Sequence, residues 1–160
     1  MSELNPYAKY LDERPLEAIL GATAAEIGTL IETLGPEKAQ ASPAPGKWSV
    51  AEIVCHLADC EIAFAFRLRQ TLAEDAHVLQ PFDQDKWSAP YKGIAAAEAL
   101  AAFAALRAWN LTLLRKTLAV AKDRTVTHPE RGTMTFQTIV ETMAGHDLNH
   151  LVQIRKIAAA

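Results

Sequence analysis

Only two cysteines occur among the 160 residues, Cys55 and Cys60. They lie five apart in a stretch that reads as helix, where they do not readily reach disulfide geometry, so no cystine framework holds this fold. Long apolar runs are missing too, since nowhere do 18 apolar residues follow one another without a charge. The opening Met1-Ser2-Glu3-Leu4-Asn5-Pro6 lacks the basic start and apolar stretch of a signal peptide. A cytoplasmic protein with no membrane contact is the resulting expectation. Lys and Arg never cluster, the formal net charge is −3 and the pI is near 5.9. Nothing here neutralises several phosphates at once, so nucleic acid is not expected as a partner. The chain also has no glycine-rich nucleotide loop and no nucleophile elbow.

What is abundant is alanine, which favours helix over strand. Half of the residues are hydrophobic and 22% are charged, as in an ordinary globular protein. A chain near 150 residues hides roughly 70% of its unfolded surface, enough for one domain over residues 1–160. Apolar residues recur every three or four positions in four stretches. The first covers residues 15–33, with Pro15 at a first helical position and Gly35-Pro36 as its stop. Residues 36–47 read as a loop. Ser49-Val50-Ala51-Glu52 reads as a capping box opening a helix to about Ala73. Residues 75–93 break the pattern, and an irregular connection of that length is often a functional lid or a crossing. A third helix is expected over 94–121, then a turn at 127–132. A last helix, capped by Thr133 or Thr135, runs to the end. Four helices with one apolar face each bury those faces as a four-helix bundle, and the two long connections permit crossovers.

His146 and His150 are four residues apart, one helical turn, so they project from one face as two imidazoles must to share a metal. The spacing alone also fits hydrogen-bonded structural histidines. His56 stands between Ile53 and Leu57, where a bundle helix normally buries an apolar residue, and a buried imidazole needs partners for its nitrogens. Three converging imidazoles would suit zinc, nickel or iron and leave a coordination position open. Glu52, Asp59 and Asp147 are candidates to orient the rings from behind, or else solvated helix-face charges. Cys60, one turn after His56, would close the tetrahedron as a structural site, or is a small buried hydrophobe. His77 and His128 fall in loops and read as surface residues.

Three segments carry a family resemblance: Trp48-Ser49-Val50-Ala51-Glu52-Ile53-Val54-Cys55-His56-Leu57-Ala58-Asp59-Cys60-Glu61, then Phe82-Asp83-Gln84-Asp85-Lys86-Trp87, then Gly145-His146-Asp147-Leu148-Asn149-His150-Leu151-Val152-Gln153-Ile154. With them the chain resembles the DinB-like (DinB/YfiT-like) family of metalloenzymes along essentially its whole length. The resemblance implies an all-α bundle of up-down-down-up type, often a homodimer. It also implies a divalent metal ion bound by one histidine of the second helix and two of the fourth, positions that His56, His146 and His150 occupy. Members of the family include thiol transferases that join bacillithiol to an electrophile, a mycothiol-dependent isomerase, and hydrolases.

Three functions follow as expectations. The leading one is a thiol S-transferase, in which a low-molecular-weight thiol is activated at the metal and Phe82, Trp87 and Tyr91 line a small-molecule pocket. Trp87 reads better as a core-filling ring. The second is a metal-dependent hydrolase with Asp59 or Glu61 as base. The third is a non-catalytic stress or interaction protein, for which a closed, dry site would speak.

Overall fold

Helix α1, Leu16–Gln40, starts after Pro15 and passes through the expected stop. Gly35 takes a left-handed backbone (φ 74°, ψ 164°), and the chain resumes as helix from Pro36, whose fixed φ suits a first turn. Ala39 is thereby buried, and the loop expected over 36–47 begins only after Gln40. These features belong to a computed structural model that describes residues 4–160; Met1-Ser2-Glu3, searched above for a leader, lie outside it.

Helix α2, Val50–Ala73, opens on the expected capping box. The Glu52 N–H donates to Ser49 Oγ (3.2 Å), and the Ser49 N–H donates to Glu52 Oε2 (2.7 Å). The following segment is less irregular than expected. The Asp83 carboxylate accepts from the Lys86 N–H (3.1 Å) and starts the short helix α3, Gln84–Ser88. Helix α4 is Ala96–Ala121 and α5 is Phe136–Ala158, the latter capped by Thr135, whose Oγ1 accepts from the Thr138 N–H.

Between α4 and α5 lies a hairpin where only a turn was expected. Strand β1, Thr125–His128, pairs antiparallel with β2, Gly132–Thr135, placing His128 opposite Gly132. Thr125-Val126-Thr127 is β-branched throughout, which favours strand, and Gly132 supplies the positive φ (90°) at the return. The outer edge of β1 is also covered: the Leu79 N–H donates to the Thr127 carbonyl (2.9 Å) and the Thr127 N–H to the His77 carbonyl (3.1 Å).

Side-chain partners give the helix directions. From α1 to α4, Glu17 meets Arg115 and the Leu20 carbonyl meets Arg107, so the two run antiparallel. From α2 to α4, Glu61 meets Arg107 and Arg69 meets Asn110, a parallel pair. From α1 to α5, Thr23 meets Asp147 and Glu26 meets Arg155, again parallel. The result is an up-down-down-up bundle in which α4 and α5 each pack against α1 and α2. By length and composition α1 is apolar enough to cross a membrane, but here it turns Ile19, Leu20, Thr23 and Ile27 into the bundle. Phe103, Phe136, Leu57, Leu68, Ile139, Met143 and Leu151 complete a buried apolar centre.

Candidate metal centre

One turn separates His146 from His150 on α5, and His56 faces them from α2. All three rings are buried. The Nε2 atoms of His56 and His146 are 3.0 Å apart, and those of His150 and His146 3.1 Å. Their ligand atoms all lie within 4.8 Å of one another. A neutral imidazole nitrogen carries either one proton or one lone pair, so His146 Nε2 does not satisfy both neighbours by hydrogen bonding. A cation that accepts three lone pairs does. Bonds of 2.0–2.1 Å at tetrahedral angles set neighbouring nitrogens about 3.3 Å apart, close to the spacing found. The residues therefore fit a divalent ion. Burial holds all three rings in the neutral form a metal needs: it pushes His56 down to about 3, aided by the nearby His150, and lowers His146 well below the usual imidazole value. Burial lowers His150 as well, opposed by its hydrogen bond to Gln153 and by Asp147.

The ring orientations have identifiable causes. His150 Nδ1 is 3.0 Å from Gln153 Oε1, so Nδ1 carries the proton and Nε2 presents its lone pair. Tyr7, from the stretch that leads into α1, sets its ring edge-on to His146 at 5.0 Å, and Trp48 packs on His56 at 5.1 Å. Tyr7 reaches that position because residue 145 is glycine: a Cβ there would meet the Tyr7 carbonyl oxygen at 2.6 Å and its Cβ at 2.8 Å.

Two cavities open beside the imidazoles. The larger, about 780 Å³, includes His150, Trp48 and Lys156 in its wall. The smaller, about 190 Å³, includes His56, His146, Cys60 and Phe82, together with Arg67, His128, Glu130 and Arg131. Tyr7 and Gln84 border both.

The carboxylates expected behind the rings are engaged elsewhere. Glu52 caps α2. Asp59 accepts a hydrogen bond from the Tyr91 hydroxyl (2.6 Å). Asp147 and Glu61 share the buried guanidinium of Arg107, which donates to Asp147 Oδ2 at 2.6 Å and Glu61 Oε1 at 2.8 Å. Neither Asp59 nor Glu61 lines either of these two cavities. Of the three aromatic residues expected in a pocket, Phe82 lines the small cavity, whereas Tyr91 is buried against Trp48. Trp87, read as core, is 38% exposed and packs on Phe82 with ring centroids 4.6 Å apart. Cys60 Sγ is 3.5 Å from His56 Nε2 but falls outside the set of three converging ligands, and burial raises its thiol pKa far above the ordinary value. His77 and His128, read as surface residues, are both buried, because the hairpin and the strand segment beside it pack them inward. Tyr7, Gln153, Arg67, His128 and Arg131 were not foreseen at the site. Gln153, three residues after His150, was the one that helical spacing could have found.

Fold and centre together define a four-helix-bundle protein with three histidines arranged for a metal. The chain belongs to the DinB superfamily, whose family model matches residues 19–154. It is similar to two proteins of Oceanobacillus iheyensis. "Putative metal-dependent hydrolase OB0782" is 29% identical over 125 residues, covering 78% of this chain and 73% of the relative. "Putative metal-dependent hydrolase OB0413" is 22% identical over 130 residues, covering 81% and 75%. Among solved structures, YfiT from Bacillus subtilis, described as a probable metal-dependent hydrolase with an unusual four-helix bundle topology, superposes with a TM-score of 0.82. That match covers 93% of this chain and 91% of YfiT at 21% identity, a likeness of fold.

Proposed function

We propose that this protein is a metal-dependent hydrolase of small acyl esters or amides, with one divalent ion held by the Nε2 atoms of His56, His146 and His150. The observation that carries the reading is the cluster of three buried imidazoles beside two cavities, with no fourth His, Cys, Asp or Glu among the described residues in the set. An ion in such a site supplies Lewis acidity and brings the pKa of water towards 7. Zinc, nickel and iron all suit three imidazoles. The relatives named above as hydrolases support the same reading.

The chain's own residues contribute position and proton transfer. Gln153 fixes the tautomer of His150, while Tyr7 and Trp48 pack against the rings of His146 and His56. Among the described residues Glu130 is the carboxylate in the wall of the small cavity, and in this reading it takes the proton of the attacking water. The water oxygen adds to the acyl carbon, the C–O or C–N bond breaks, and the proton passes to the leaving group. Metal-loaded protein should hydrolyse members of an ester, amide and lactone panel. His146→Ala should lower metal content from about one ion per chain to nearly none and abolish turnover. A loaded protein no faster than its chelated control across that panel would refute the hydrolase.

A second reading is thiol S-transfer, favoured by one observation: Asp59 and Glu61, the bases expected for hydrolysis, are committed to Tyr91 and Arg107, and a thiol bound at a metal ionises without either of them. The thiolate sulfur of bacillithiol would form a C–S bond with a chloro-aromatic acceptor as the C–Cl bond breaks, releasing chloride and a proton. Turnover of that pair without turnover of the ester panel would select this reading. Stoichiometric metal with neither activity would leave the non-catalytic reading.

A further inference from the structure

The small cavity beside His56 and His146 has a polar wall made largely of donors. Arg67 is half-buried, with its guanidinium carbon 5.9 Å from the Phe64 ring centroid and 5.8 Å from that of Phe82. Two aromatic rings thus fix the guanidinium, and its one hydrogen bond runs from Nη2 to the Gln80 carbonyl (3.2 Å). Among the described residues, no acceptor meets its remaining N–H groups. Arg131, half-buried at the return of the hairpin, lines the same cavity. Among the described residues no carboxylate forms an ion pair with either guanidinium. Burial lowers the Arg67 pKa, and the like charge of Arg131 lowers it further.

His128 adds a third donor. Its Nδ1 accepts from the Glu130 N–H (3.2 Å), so the neutral ring carries its proton on Nε2. Burial, followed by the two arginines, lowers its pKa and keeps it neutral. Glu130 is an exposed carboxylate of the same wall, so the cavity is not uniformly positive. Placing two guanidinium charges in one partly desolvated wall is repulsive, and an oxyanion between them reverses the sign of that interaction.

We propose that this cavity is an oxyanion pocket: Arg67, Arg131 and the Nε2–H of His128 bind a carboxylate or phosphate group of a small substrate whose reacting bond lies against His56 and His146. The second half rests on the hydrolase reading. The first half does not, because arginine forks bind oxyanions without a metal.

The pocket is tested first in chelated, metal-free protein by calorimetric titration with succinate and, separately, with inorganic phosphate; whichever binds identifies the oxyanion. Arg131→Gln, at a half-exposed turn where the fold tolerates change, should weaken that binding about ten- to a hundredfold, as loss of a charge-assisted hydrogen bond does. Arg67→Lys, which keeps the charge and loses the fork, should weaken it as well, and neutral succinamide should not bind. No binding of either anion, or equal binding by wild type and both variants, overturns the pocket.

Metal-loaded protein is then compared on monomethyl and dimethyl succinate. The anionic ester should have the higher kcat/KM, and Arg131→Gln should narrow that preference by lowering kcat/KM for the monomethyl ester more than for the dimethyl ester. Arginine-dependent anion binding with neither ester hydrolysed supports the pocket and counts against the hydrolase. Equal hydrolysis of both esters, insensitive to Arg131→Gln, overturns the pocket and leaves the hydrolase standing.

Discussion

Replacing Arg107 by methionine removes the one cation that two buried carboxylates share. The Arg107 side chain is 3% exposed, and those of Glu61 and Asp147 are each 2% exposed. Its guanidinium also donates to Asp147 Oδ1 (3.0 Å) and the Leu20 carbonyl (2.9 Å), so three helices meet on it. Without it, Asp147 keeps the Thr23 hydroxyl (2.8 Å) and Glu61 keeps the Asn110 amide (2.9 Å), both neutral donors. Removing one member of a buried ion pair costs about 3–5 kcal/mol. Because two carboxylates lose their partner, Arg107→Met should fall in the upper half of that range, a large part of a total stability of about 5–15 kcal/mol. Urea unfolding monitored by circular dichroism reads this as a lower midpoint with an unchanged slope. The triple variant Arg107→Met, Glu61→Leu, Asp147→Leu removes the charges together and should recover most of the loss, since burying apolar groups in place of a complete ion cluster is often neutral. Asp147 adjoins His146, and Glu61 lies on the helix that carries His56, so the single variant should also bind metal more weakly, by about ten- to a hundredfold if it disturbs the rings as an outer-shell change does. A single-variant loss below about 1 kcal/mol would refute the claim that this cluster fixes the bundle.

Metal-free protein should lose stability in acid. The folded His56 binds a proton only near pH 3 while the unfolded imidazole does so near 6.5, so the stability present above 6.5 is lost as the pH falls from there towards 3. At pH 5.5 the His56 contribution to that loss is on the order of 1 kcal/mol, with His146 and His150 acting in the same direction; equal urea midpoints at pH 7.5 and 5.5 would contradict it. Gly145→Ala puts a methyl group 2.6 Å from the Tyr7 carbonyl oxygen, and the backbone there has to move. A loss of about 1–3 kcal/mol is expected, together with altered Tyr7 fluorescence or ring NMR shifts. Ser49→Ala removes half of the capping box that opens α2 and should cost about 1 kcal/mol in the same unfolding assay, against almost nothing for Thr29→Ala on the exposed face of α1.

What the sequence made legible was periodic. Helices of more than 20 residues declare themselves through many repeats of one spacing, and the Ser49-Glu52 box marks the start of α2 to the residue. The hairpin is only four residues a side, and Thr125-Val126-Thr127 gains strand character from partners at 77–79 and 132–135. No local rule announces those partners. For that reason His128 read as a surface residue of a turn, and the donors beside the imidazoles stayed hidden. Tyr7 is a second case: its contact with His146 depends on a crossing of chains that Gly145 permits, and a helical glycine carries no label of what crosses it.

The acidic residues show where spacing arguments need more care. The rule that pairs His146 with His150 also rotates each successive residue by about 100°, so Asp147 had to point away from the face its neighbour shares with His150. It points at Arg107. Gln153, at i+3 from His150, lies where the rule places a partner for that ring, and it is an amide rather than a carboxylate. A neutral partner adds no charge to a centre of three neutral imidazoles, so an ion held there keeps its full positive charge towards a fourth ligand. Gln153→Glu should therefore tighten metal binding while raising the pH at which activity appears, because the added negative charge makes the fourth ligand less acidic. A pH–rate profile that stays in place while affinity rises would show that Gln153 only orients the ring.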